Sequence, residues 1–142
     1  MANSKKDIIR QLYAENLVDI VSLRGINKTI TIMPDFGMGP WAWEKDAADE
    51  GPYVGVQIAS ACSGMLPERY QISDGLKHDF ANWVMFFESC CHFPTFHWDA
   101  FHRHGLELSR RLKAELGDRV RIVYARPVED PDCKTEQQVE IC

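Results

Sequence analysis

The fold is decided by residues 98–117, WDAFHRHGLELSRRLKAELG. Apolar side chains and one glycine recur there at helical spacing: Trp98, Phe101, Gly105, Leu108, Leu112 and Leu116. These positions fall within about one hundred degrees of arc on a helix, the width of a core-facing stripe. Gly117 follows where a helix C-cap favours glycine. We therefore predict an amphipathic helix in which Gly105 lets a sheet or helix backbone approach closely.

The preceding segment predicts a second helix with the same periodicity. Ser73 or Asp74 can cap its start, and Pro94 ends it. Its apolar positions at helical spacing are Leu76, Phe80, Trp83, Val84 and Phe87. We expect Trp83 to face the packed interior.

Three segments alternate between apolar and polar residues and predict strands: Thr29–Met33, Tyr53–Ala59 and Arg119–Ala125. A further amphipathic helix is predicted from Ser4 to just before Gly25. The order α-β-β-α-α-β predicts a single α+β domain over residues 1–142, with a small, largely antiparallel sheet covered by helices. An acidic C-terminal tail, at about residues 128–142, is expected to bury little.

The composition is that of an ordinary globular domain, with 142 residues, 45% of them hydrophobic and 26% charged. No apolar run approaches the ~20 residues of a membrane span, and the N-terminal residues lack the apolar core of a signal peptide. We therefore expect a cytoplasmic protein without a membrane partner. The five cysteines, an odd number, make a poor disulfide framework, which agrees with that compartment. The net charge of -5 argues against nucleic acid as a partner, because phosphate binding needs a basic surface.

Cysteines and histidines are dense in one segment: Cys90, Cys91, His92, His97, His102 and His104. Within a helix, His102 and His104 lie two positions apart and point to different faces, whereas a pair of metal ligands needs a spacing of three or four. We therefore interpret the segment as buried cysteines and surface histidines, with no metal and no cofactor. Two alternatives stay open. One is a loop metal site formed by Cys90, Cys91, His92 and His97, and the other is a small metal- or Cys-dependent hydrolase that uses the Cys90–His104 cluster.

Acidic residues are dense between positions 35 and 50, where five acids stand against the single base Lys45. Aromatic residues flank them, as in the central part of many protein interfaces. The predicted partner-binding residues are Asp35, Trp41, Trp43, Glu44, Asp46, Asp49, Glu50 and Tyr53. The competing interpretation is a solvated charged surface beside aromatic residues that belong to the core.

Several motifs along the chain together resemble those of a known group of proteins. The segment Asp35-Phe36-Gly37-Met38-Gly39-Pro40-Trp41 follows a short strand. Residues 101–117 then read Phe-x-x-x-Gly-x-x-Leu-x-x-x-Leu-x-x-x-Leu-Gly, and the strand Val120–Tyr124 comes next. Over about residues 30–126 this resembles a group of small bacterial cytosolic immunity proteins that neutralise secreted contact-dependent or type VI toxins.

The resemblance implies a non-enzymatic protein that binds a cognate toxin domain and occludes its active site. Toxin domains that attack nucleic acid are often basic, so an acidic inhibitor gains electrostatic steering. The resemblance names neither the toxin nor the oligomeric state of this chain.

Overall fold

The computed structural model describes residues 28–49, 51, 53–62, 66–132 and 138–142. Its elements in chain order are β1 Lys28–Ile32, β2 Pro40–Asp46, β3 Val56–Ser60, α1 Asp74–Cys90, α2 Trp98–Leu116, a 3-10 turn Gly117–Arg119, β4 Arg121–Ala125 and β5 Gln138–Ile141. These residues form an α+β fold, as the sequence predicts. The helix predicted between Ser4 and Gly25 lies outside the described residues.

The strands form one five-stranded sheet in the order β3-β2-β1-β4-β5. The sheet is mixed, because β1 and β4 are parallel whereas the other three neighbouring pairs are antiparallel. After β3 the chain passes through α1 and α2 before it enters β4 beside β1. These helices pack against each other, with α1 against β2 and α2 against β4.

The observed element order corrects the predicted one within the described residues, because strands β2 and β5 were not foreseen. Strand β2, PWAWEKD, buries its first three residues in succession, so its sequence lacks the alternation that identifies a strand with one wet face. Strand β5 lies in the segment expected to bury little. Its Ile141 is nevertheless buried opposite Ile122 of β4.

The N-cap of α1 follows the local sequence. The Ser73 hydroxyl accepts a hydrogen bond from the N–H of Leu76 at 3.2 Å, which confirms the predicted N-cap of α1. The carboxylate of Glu115 on α2 accepts from the Ser73 N–H at 2.6 Å and from its hydroxyl at 2.8 Å. The start of α1 is therefore tied to the end of α2. Neither described helix is long and apolar enough to cross a membrane.

Aromatic rings fill the space between the helices. Trp83 is buried as predicted, stacks on Phe101 with 4.6 Å between ring centroids, and donates its indole N–H to the Phe101 carbonyl at 3.1 Å. The predicted approach of a sheet or helix backbone to Gly105 is wrong, because aromatic side chains occupy that space. A Cβ at this position would lie 2.5 Å from Trp83 and 2.6 Å from Tyr124.

The two ends of the sheet carry different loops. One end, which we call the aromatic end, holds the β1–β2 loop (residues 33–39), the C-terminal end of α1 and the first turns of α2. Phe36 contacts Phe87 there, and His102 bonds to Tyr124 near the end of β4. The opposite end holds the β2–β3 connection (residues 47–55), because β2 runs from one end to the other.

Candidate binding site around the end of helix α1

The β1–β2 loop presents two apolar side chains to solvent. Phe36 is 44% exposed and Met38 is 66% exposed. Three consecutive residues have positive φ angles, which are 101° at Gly37, 69° at Met38 and 71° at Gly39. An L residue such as Met38 rarely adopts that conformation, so surrounding contacts must hold it.

Those contacts come chiefly from α1. One carboxylate oxygen of Glu88 accepts the N–H groups of Gly37 at 2.7 Å and Met38 at 3.2 Å. The Phe36 ring lies 5.1 Å from the Phe87 ring, centroid to centroid. At Gly39 a Cβ would lie only 2.8 Å from the Cβ of Ala61, so a larger residue would push the loop away. The loop backbone is therefore preorganised at Gly37 and Met38, and the Phe36 ring is held against Phe87 before any partner arrives.

An apolar groove of about 550 Å³ lies on the other flank of α1, between that helix, the α1–α2 connection (residues 91–97) and α2. Aromatic rings form its walls: Trp83, Phe86, Phe93, Phe96 and Phe101. Phe86 stacks on Phe96 at 5.4 Å, and Phe86 and Phe93 each remain more than half exposed. A concave site of this size and lining is typical of sites for small apolar molecules.

Polar groups lie at the mouth of the groove. They are the exposed side chains of Asn82, Thr95, His97 and His104. The half-buried thiol of Cys90 is part of the wall. Among the described residues that line the groove, none carries a carboxylate.

The Cys/His segment does not come together as one site. Cys91 is buried, and burial raises the pKa of its thiol. His92 is exposed and lies against the Phe93 ring at 4.4 Å, whereas Cys90, His97 and His104 line the groove. Within the described ranges, no three side chains of the metal-ligating types are grouped closely enough to hold an ion.

His102 corrects the prediction of surface histidines, since it is only 5% exposed. Its Nδ1 lies 2.7 Å from the Tyr124 hydroxyl and its Nε2 lies 2.6 Å from the Asp130 carboxylate. Burial lowers the pKa of the imidazole, so the ring is neutral. A carboxylate only accepts hydrogen bonds, so Nε2 carries the proton and Nδ1 accepts from Tyr124. Burial also raises the pKa of Tyr124, which keeps that hydroxyl protonated.

Asp130 is the other end of this buried chain. Although burial acts to raise its pKa, hydrogen bonds from His102 and from the N–H of Asp132 hold the pKa below its ordinary value. Arg126 donates to the same carboxylate at 3.2 Å. Both Asp130 and His102 are sealed from solvent, so the network fastens residues 126–132 to α2 and presents no reactive group. The burial of Asp130 also corrects the expectation that the acidic tail buries little.

Trp41 is a core residue and not an accessible anchor. It is 2% exposed and stacks on Phe80 with 4.2 Å between centroids. Trp43 is half-buried and donates its indole N–H to the Met33 carbonyl at 3.0 Å. Trp41 therefore leaves the predicted partner-binding set, because the sheet and α1 cover it.

The remaining predicted residues do not share one surface. Asp35 lies in the β1–β2 loop, whereas Asp46, Asp49 and the exposed Tyr53 lie at the opposite end of the sheet. The seven residues of β2 separate the two groups by about 20 Å. Glu50 lies outside the described residues.

Two of the predicted acids are also paired with bases. Glu44 accepts hydrogen bonds from Arg69 and from the hydroxyl of Tyr70. Burial and this bond to Glu44 raise the pKa of Tyr70 to about 12. Asp46 forms an ion pair with Lys28 at 2.6 Å. The acidic character counted along the sequence is therefore partly neutralised in the fold.

The apolar residues of the aromatic end were missed because each looks ordinary alone. Phe86 lies off the periodic core positions of α1, and Phe93 and Phe96 flank Pro94 in a connection. Met38 stands between two glycines, a setting that permits but does not require positive φ. No protein-family model, curated protein or solved structure matches the chain.

Proposed function

We propose that this chain is a non-enzymatic immunity protein that binds a cognate antibacterial toxin domain and occludes its active site in the cytoplasm. The observation that carries the proposal is the preorganised β1–β2 loop, which holds Phe36 and Met38 exposed. Backbone strain at Met38 persists only because Glu88 and the neighbouring glycines enforce it. Strain of this kind concentrates at sites that bind or react, and this loop offers no reactive group of its own.

The energetics favour a binding role for such a loop. Burying one Phe or Met side chain against a partner contributes about 1.5–3 kcal/mol. Because Glu88 already fixes the backbone of Gly37 and Met38, binding loses little conformational entropy there. Aromatic residues and Met are also enriched in protein interfaces relative to the rest of the surface.

Charge adds a preference for a basic partner. The chain carries a net charge of -5, which accelerates encounter with a basic toxin domain at low salt. Asp35 belongs to the same loop as Phe36 and supplies a carboxylate beside the apolar anchors. Asp49 and Tyr53, at the far end of β2, are proposed as a second contact with a partner that spans about 20 Å.

The experiment is co-expression with the toxin encoded by the neighbouring reading frame, together with binding kinetics for the purified pair. Phe36→Ala and Met38→Ala should each weaken binding by roughly tenfold to a hundredfold, mainly through faster dissociation, and should reduce the protection of toxin-expressing cells. The matched control is Val128→Ala, because Val128 is a more exposed apolar residue in another loop. That control should bind and protect as the parent does.

Full protection by the Phe36→Ala, Met38→Ala double variant would exclude this loop from the interface. Loss of protection in Val128→Ala to the same extent would show that general apolar exposure is responsible. Cleavage of nucleic acid or another substrate by this chain alone would overturn the non-enzymatic assignment.

A further inference from the structure

The groove on the α2 side of α1 is independent of the β1–β2 loop. Its walls are aromatic, and its volume of about 550 Å³ falls in the range of sites that enclose a small molecule. The proposed immunity function uses Phe36 and Met38, neither of which lines this groove. We propose that the groove binds a small molecule with an apolar body and an anionic head group, of the chemical class of a medium-chain carboxylate.

The apolar body is argued from the walls. Trp83 and Phe101 close the bottom of the groove as buried, stacked rings, so its shape is fixed by the core. Phe86 and Phe96 stack along one side, and Phe93 overhangs the mouth as an exposed ring. Exposed aromatic rings that continue a concave apolar surface are unusual on a protein without a ligand or partner for them.

The anionic head is argued from the mouth. His97, the residue just before α2, and His104 within that helix both line the groove, as does Asn82 of α1. Imidazole and amide groups can donate hydrogen bonds, and the cationic Arg103 is adjacent in sequence. Among the described lining residues there is no carboxylate to repel an anion.

The start of α2 reinforces this preference. Residues 95–97 and Ala100 line the groove, so the positive end of a 19-residue helix dipole lies at its mouth. The N-cap residue His97 makes no side-chain capping bond, although the Trp98 N–H donates to the Phe96 carbonyl at 3.1 Å. Asp99 and Asp132 do not line the groove, and they lie with Arg103 in the neighbouring hollow that His97 and Ala100 also line.

Cys90 provides a readout that is local to the groove. We would measure the rate of iodoacetamide alkylation at Cys90 by peptide mass spectrometry with decanoate, decanol or decylammonium present at up to about 1 mM. Cys62 is exposed and does not line the groove, so its rate is the internal control. Decanoate should slow alkylation of Cys90 most and decylammonium least, with the rate at Cys62 unchanged.

Two pairs of variants separate filling of the groove from charge at its mouth. Ala100→Leu should fill the groove and abolish protection of Cys90, whereas Ala114→Leu, on an exposed site of the same helix, should not. His104→Glu should weaken the binding of decanoate by about tenfold, because it places a negative charge beside the carboxylate head group. The same change should strengthen the binding of decylammonium, whose head group is positive. Arg110→Gln makes the same change of charge on an exposed site of α2 outside the groove and should have no effect.

Several outcomes would overturn the inference. No slowing of Cys90 alkylation by any probe would exclude a small-molecule site. Equal slowing by all three probes would exclude a preference for an anionic head group. A dimer in sedimentation in which Cys90 is already protected without probe would assign the groove to an interface between copies. None of these three outcomes depends on the toxin, so this inference and the proposed immunity function can fail separately.

Discussion

Gly105 lies so close to Trp83 that the structure leaves no room for a side chain between them. A Cβ at position 105 would be 2.5 Å from Cζ2 of Trp83, and the Tyr124 ring and hydroxyl would be 2.6 and 2.7 Å away. Trp83 is in turn stacked on Phe101 and bonded to its carbonyl, so the indole cannot retreat easily. This contact joins α1, α2 and β4 at one point and has direct consequences for stability.

We expect Gly105→Ala to destabilise the protein by about 1–3 kcal/mol, since the added methyl must displace buried rings. On helix propensity alone the same change would stabilise by about 1 kcal/mol. The control is Gly75→Ala in the first turn of α1, where a Cβ meets nothing within 4 Å. Urea unfolding of both variants is the measurement. A Gly105→Ala protein as stable as the parent would mean that the rings do not crowd position 105.

Trp83→Ala should cost about 3–5 kcal/mol, because it removes a buried indole and leaves a cavity. It also vacates the space that crowds position 105. The Trp83→Ala, Gly105→Ala double variant should therefore be more stable than the sum of the two single changes predicts. A double-mutant cycle from urea unfolding tests this coupling, and strict additivity would contradict the contact.

Acid should weaken the fold through His102. In the unfolded chain the imidazole titrates near its ordinary pKa of 6.5, whereas burial lowers its pKa in the fold. As the pH falls below about 6.5, the unfolded chain binds more protons, so the free energy of unfolding decreases. Asp130, whose folded pKa is lowered from 3.8, adds a further loss below that value.

Melting temperatures measured between about pH 7.5 and pH 4.5, an interval that spans the ordinary pKa of histidine, test this effect. His102→Gln should lower stability at neutral pH but flatten the dependence between about pH 6.5 and 5. His104→Gln, an exposed site one-half turn along the same helix, should leave the dependence unchanged. An equal flattening in both variants would show that His102 is not the titrating group.

Glu44 and Asp49 should differ in their effect on stability although both were predicted as surface acids. Glu44 is nearly buried and bonded to Arg69 and Tyr70, so Glu44→Gln should destabilise by about 1–3 kcal/mol. Asp49 is exposed, so Asp49→Asn should stay within about 0.5 kcal/mol of the parent. Thermal unfolding of the two variants is the measurement, and equal stability would mean that Glu44 is a free surface charge.

Met38→Gly should separate stability from binding. Glycine adopts positive φ without strain, so this change should raise the free energy of unfolding by about 1 kcal/mol. The same change removes an exposed apolar anchor and should weaken toxin binding if the proposed function is correct. A variant that is less stable than the parent would show that the Met38 side chain contributes packing and that strain is not the dominant effect.

Local periodicity and capping could be predicted from residue order alone. The α2 stripe, the Ser73 cap, the buried Trp83 and the glycine at position 105 could all be predicted from residue spacing. The cap depends on contacts within one turn of the chain, and the apolar spacing marks the buried face of each helix, so residue order indicates these features directly. Strand β1 was recognised because threonine and isoleucine alternate along it, although both of its faces are buried in the fold.

The tertiary structure alone decided which residues share a surface and which charges remain free. From the sequence, Trp41 is predicted to be an exposed interface residue, but in the structure it is stacked against Phe80. Glu44 is predicted to be a surface acid, but Arg69 and Tyr70 donate hydrogen bonds to it. The groove likewise needs residues from two helices and their connection. Pairing between positions 18 to 28 residues apart, such as Lys28 with Asp46 or His102 with Asp130, leaves no periodic trace in the sequence. Such contacts follow from how the sheet and helices are packed, because burial and charge pairing are properties of three-dimensional proximity.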